Sequence, residues 1–224
     1  MVSDALRRIA REFCALLLFC AVVGAVFGIK GLVVDQMTDD DYSFLARSTS
    51  YSAPVSIGTL EWTDPTLPDG FAAAQTVCSE LGTPITDSTV LKKSGNELLY
   101  PDDVTAGMQT ALTDSLVKLK TNMSNLDLLL QIYMSLEAGK PVIVPLSEPN
   151  GSTIYYAIVT HMDAEEDEIT AQTLYNGSKT YTFEQFIAAS RFENTDDLPL
   201  QVRAGLTFGA WSRNTAIFVE QRHE

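Results

Sequence analysis

Cysteine is scarce in this chain. Of Cys14, Cys20 and Cys78, the first two fall in an apolar N-terminal run, which leaves one thiol for everything that follows. A single cysteine builds neither an intradomain disulfide nor a zinc cluster, so the folded part must stand on its hydrophobic core. Histidine is equally sparse, and His161 and His223 are too far apart in sequence to suggest a metal pair. Cations are outnumbered, with 15 Lys and Arg against 29 Asp and Glu and a net charge of −14. A surface so poor in Lys and Arg cannot displace counterions from a phosphate backbone, which argues against nucleic acid as a partner. The acidic stretch Asp163, Glu165, Glu166, Asp167 and Glu168 lacks the Asp-x-Asp-x-Asp-Gly order of a calcium loop and reads as a solvated turn. No cofactor or metal is expected.

The chain does have one long apolar run. Phe13 to Ile29 carries no charge, and Leu32, Val33 and Val34 extend it past Lys30. A membrane-spanning helix needs about 20 apolar residues, and a lysine at its end can snorkel its ammonium to the headgroups. Arg7, Arg8, Arg11 and Lys30 against Asp4 and Glu12 give residues 1–34 a net charge of +2, which leaves −16 on residues 35–224. Arginines ahead of the run favour a cytoplasmic N-terminus. The expected organisation is a cytoplasmic segment 1–12, a signal-anchor helix 13–34, a polar stalk or lead-in strand 35–55 and an extracytoplasmic domain 56–224. A cleaved signal peptide is the alternative, because Val23-Gly24-Ala25 offers small residues for cleavage, and the domain would then be secreted.

Within the domain, Leu67-Pro68-Asp69-Gly70 forms a turn that opens an Ala-rich helix, stopped by Gly82 and Pro84. Tyr100-Pro101-Asp102-Asp103 has the proline and acids of a helix first turn. Ser124 opens a further helix that closes at Gly139. Residues 141–146, 153–160, 168–174 and 215–220 read as strands, and Thr182-x-x-Gln185 is a capping box at the head of a helix. Helices come first and a mostly antiparallel sheet follows, which is an α+β layout.

Four stretches in this order carry a resemblance: Leu67 to Gly70 at the helix start, Leu136 to Val144, Tyr155 to Asp163, and Tyr181 to Phe186. From about residue 55 to 195 the chain resembles the papain-like cysteine peptidases of the bacteriocin-leader-processing type and their relatives on Gram-positive cell surfaces. The resemblance implies a papain-like fold. It also implies a thiolate at the first helix N-terminus, where dipole and imidazole lower its pKa, and a histidine on the central strand oriented by Asp or Asn on the next.

This chain departs from the family at each of those positions. The cysteine falls on Asp69 or Phe71, the histidine on Tyr155, and the orienting group near Thr173 or Leu174. A phenol is a poor general base at neutral pH. The expectation is a degenerate peptidase-like domain that binds a peptide or cell-envelope partner without cleaving it. The alternative is an active thiol hydrolase that uses Cys78 with His161. Cys78 lies about two turns past the helix start, where the dipole has faded. His161 is six residues after Tyr155, so unbroken alternation puts both on one face, ~20 Å apart.

Overall fold

The computed structural model describes residues 2–64, 66–85, 100–148, 153–193 and 198–221, without the side chains of residues 2–10 and 46. The chain divides into two units, Met1–Met37 and Thr38–Glu224. The first unit is one helix, α1 (Val2–Thr38), whose Arg11–Thr38 portion is long and apolar enough to cross a membrane. Its span from Phe13 to Val34 would rise ~33 Å, close to the ~30 Å of a bilayer's hydrocarbon core.

The second unit is α+β. Its strands form one antiparallel sheet, which among the described residues has the order β2-β7-β3-β4-β5-β6, with β1 pairing on β4. These are β1 (Val55–Ser56), β2 (Ser115–Lys120), β3 (Val142–Ser147), β4 (Ile154–Asp163), β5 (Glu168–Thr173), β6 (Gly177–Tyr181) and β7 (Ala216–Gln221). Helices cover both faces. On one face α4 (Asn125–Glu137) and α5 (Phe183–Ser190) bury Leu128, Ile132 and Phe186 against Val144, Ala157, Val159 and Phe218. On the other, α2 (Asp69–Glu80) and α3 (Pro101–Ala111) bury Phe71, Val77 and Met108 against Ile143, Tyr156, Ile158 and Val219. A central strand covered on both sides is apolar throughout, so β3 is buried from end to end and shows no alternation. The edge strands β2 and β6 carry Lys118, Lys120 and Lys179, and Gln109 of α3 bonds Ser115 C=O and Val117 N–H of β2.

Local chemistry sets the helix ends. Ser124 accepts from Asp127 N–H at the start of α4, and Gly139, with φ of +71°, follows its end. Thr182 and Gln185 bond reciprocally as a capping box on α5. Asp167, also at positive φ, accepts from Phe183 N–H at 3.1 Å and thus caps α5 from the β4–β5 turn.

The stretch from residue 38 to 55 is not a stalk; it belongs to the compact unit. Leu45 is fully buried in the α4 side of the core, and Tyr42 and Tyr51 pack against that core. Asp40 accepts from Leu126 N–H at 2.9 Å, and Tyr133 donates its hydroxyl to Ala53 C=O. Polar composition disguised a strap pinned by a few apolar residues. Asp40 places a carboxylate at the N-terminus of α4, so Asp40→Ala is expected to cost about 1 kcal/mol in a urea titration. An unchanged midpoint would show that the contact is idle.

Candidate functional site

α2 begins at Asp69, so the last two residues of the expected Leu67–Gly70 turn already belong to the helix. Pro68 precedes it, Asp69 sits in its first turn, and Ala72, Ala73 and Ala74, each fully buried, continue it. Gly70 lets the helix approach the sheet: a Cβ there would lie 2.8 Å from Tyr156 Cε2 and 3.1 Å from Val104 Cγ2. The helix N-terminus is therefore pressed against β4 at Tyr156.

Asp69 fastens this contact. Its Oδ2 accepts from Tyr156 N–H at 2.8 Å and its Oδ1 from Gly70 N–H at 2.8 Å. Burial raises the carboxyl above the usual Asp range, while these two donors pull in the opposite direction. Both oxygens are engaged with main chain, one from each layer. Phe71 is buried, as is the Tyr156 ring, whose phenol burial and then the charges of Asp69, Asp103 and Asp102 push well above its ordinary value.

The four positions expected from the sequence do not converge. Asp69 and Phe71 lie on the α2 side of the sheet. Tyr155 packs on the opposite side with the α4 and α5 cluster, and its hydroxyl lies 2.9 Å from that of Tyr181. Burial, and then the hydrogen bond to this phenol, raise its pKa as well. Thr173 pairs with Ala157 and shares that face. Its hydroxyl accepts from Asn176 N–H and so orders the β5–β6 turn.

The groups that do face α2 are Tyr156 on β4 and Gln172 on β5, each one residue from the expected position. Gln172 is buried and spends its amide on Leu60, accepting from Leu60 N–H at 2.7 Å and donating to Leu60 C=O at 3.1 Å. Sequence reasoning missed both, because adjacent tyrosines in an almost continuously buried strand give no parity.

Cys78 and His161 are placed as follows. A β-bulge between Val159 and His161 shifts the register. Val159 and Met162, three residues apart, therefore both face the α4 side, and His161 turns to the α2 side. Tyr155 and His161 are thus on opposite faces, contrary to unbroken alternation. His161 sits between Ser56 and Thr170, ~16 Å along β4 from Tyr156. Cys78 is fully buried among apolar side chains, which pushes its thiol up to about 12. No hydrogen bond joins the two among the described residues. His223 lies outside those residues.

A thiolate is the reactive form, and at pH 7 a thiol of this kind holds almost none. Iodoacetamide is expected to leave Cys78 unmodified in the folded chain and to label it after urea denaturation, read by peptide mass. Fast labelling under native conditions would contradict the burial.

No protein-family model matches this chain, and no curated protein matches it in sequence.

Proposed function

We propose that α1 is an uncleaved anchor and that the unit it carries is a papain-like, non-catalytic domain on the outer side of the membrane, where it binds a peptide or cell-envelope protein. The observation that carries this reading is the double engagement of Asp69. At the helix N-terminus, where the resembling peptidases need a free nucleophile, this chain has a carboxylate with both oxygens bonded to main chain, followed by a buried phenylalanine. Such a residue holds two layers together and attacks nothing. Tyr156 and Gln172, which face the same helix, offer a phenol with a raised pKa and an amide already bonded on both sides.

One observation favours the hydrolase reading: the bulge turns His161 toward the α2 side. Against it stand the burial and raised pKa of Cys78.

The test is a turnover assay on the full-length chain in detergent with a panel of fluorogenic peptides. No cleavage above buffer is expected. Cleavage abolished by Cys78→Ala would sink the non-catalytic reading and establish the other. Protease digestion of intact cells would address topology, with loss of the domain expected and complete protection counting against an outward orientation.

A further inference from the structure

We propose that α6 (Leu200–Phe208) and Trp211 form one lid over Tyr156 beside the α2 N-terminus, so that binding there requires the lid to open. The proposal rests on the reading of this domain as a peptide binder and concerns how that site is regulated.

Helix α6 and Trp211 are joined to each other twice. The main-chain N–H of Trp211 donates to Gly205 C=O at 3.1 Å. The indole also packs so closely on Gly205 that a Cβ there would lie 2.6 Å from Trp211 Cδ1. The two therefore move as a single body.

Attachment to the rest of the domain is almost wholly apolar. Trp211 lies against Tyr156, Tyr100 and Phe192 with ring centroids 6.0, 5.9 and 6.3 Å away. α6 itself buries only Val202 and Gly205, and Leu200 is 79% exposed. The indole N–H is buried and has no hydrogen-bond partner among the described residues. An orphaned donor opposes the closed state, because water satisfies it as soon as the ring leaves. Tyr and Trp normally find a partner for their polar atom when buried. Here the polar atom favours release while the ring faces favour retention.

The site that the lid covers is the one built around Asp69. Tyr156 lies against Gly70 through the Cδ2–Cε2 edge of its ring, and its ring centroid is 6.0 Å from that of Trp211. Lifting Trp211 uncovers an aromatic floor of Tyr156, Phe192 and Tyr100, with Asp102 and Asp103 of α3 close enough to act on the Tyr156 phenol. An aromatic floor with carboxylates beside it suits an extended peptide that carries an aromatic or cationic side chain. In the closed state the chain supplies that aromatic group itself.

Hydrogen exchange on the full-length chain in detergent micelles, read by mass spectrometry, tests the lid. Amides of residues 202–211 are expected to exchange about a hundredfold faster than those of residues 155–162 in β4, through opening short of global unfolding. Gly205→Ala should speed exchange of 202–211 about tenfold and leave β4 unchanged, even though alanine is the better helix former. Trp211→Phe keeps a ring and deletes the orphaned donor, so it should slow the same amides. Equal rates for the two segments in the unaltered chain would overturn the lid, as would slower exchange in Gly205→Ala. The unaltered chain decides the matter if either variant fails to fold. Loss of the lid would leave the non-catalytic reading untouched, because that reading stands or falls on turnover.

Discussion

Replacing Asp69 by alanine is expected to destabilise the compact unit by about 2–4 kcal/mol at pH 7, measured as a lower midpoint of urea or thermal unfolding. The substitution strips the acceptor from two main-chain donors, Gly70 N–H and Tyr156 N–H. Each buried donor left unsatisfied costs about 1–3 kcal/mol, offset in part because a desolvated carboxylate is removed with the bonds. Asparagine separates the two contributions. Its amide has one acceptor oxygen, so Asp69→Asn keeps one bond, removes the charge, and should cost about 1 kcal/mol.

The pH dependence distinguishes this clasp from an ordinary ion pair. Burial raises the folded-state pKa of Asp69 above its unfolded value, so the native state takes up a proton first. Between those two values native protein binds more protons than unfolded protein, and stability falls as pH rises. The favourable contribution is therefore fully present below the unfolded pKa and is lost as pH climbs through the folded one. An Asp held by a cation would behave in the opposite way. The difference between unaltered chain and Asp69→Asn is accordingly expected to widen on acidification from pH 7 toward pH 4. A difference that stays flat or shrinks would mean that Asp69 is not desolvated.

Leu45→Ala is expected to cost about 2–5 kcal/mol, the range for a leucine truncated in a packed core. The residue is fully buried beside α4, although it lies in a stretch of Asp, Ser and Thr that reads as a connector. A cost under about 0.5 kcal/mol, the ordinary outcome at an exposed position, would restore the stalk. The strap's other anchors are separate contacts, so Asp40→Ala and Leu45→Ala can be compared directly. The apolar contact should dominate by a factor of about two or more.

Much of the fold was legible because local chemistry and tertiary packing agree. The Thr182–Gln185 box, the Ser124 cap and the proline and acids at residues 101–103 each mark a helix start that the structure keeps. The order of helices and strands gives the α+β layout and its antiparallel sheet. What stayed hidden depends on distant partners. β2 alternates Val117 and Leu119 with Lys118 and Lys120, but nothing local says that it pairs with β7 at the other end of the chain. α6 is a short helix that buries only one side chain larger than a hydrogen, Val202, so its apolar stripe is faint.

The candidate site was legible by segment and illegible by residue. Helix α2 and strand β4 do meet, at Asp69 and near the paired tyrosines. Which tyrosine faces the helix depends on strand parity, and a strand covered on both sides erases the alternation that would reveal it. The bulge at Val159–His161 is a further change of parity with no glycine or proline to announce it. The self-bonded states of Asp69 and Gln172 were beyond reach for the same reason: their partners, Tyr156 N–H and the Leu60 amide, are backbone groups brought together only by the fold.

The lysines on the two edge strands of the sheet bear on how many copies can crowd together. Unpaired strand edges invite neighbouring chains to extend the ladder. Lys118 and Lys120 on β2 and Lys179 on β6 would bring ammonium groups against one another in any such stack of like edges. Two of the three are partly compensated within the chain. Lys118 and Lys120 bridge to Glu220, while Lys179 lies over the Tyr181 ring. A neighbour that docked edge to edge would have to dismantle those contacts first. At β2 the side-chain amide of Gln109 on α3 adds to this protection, because it already bonds Ser115 C=O and Val117 N–H of that edge strand.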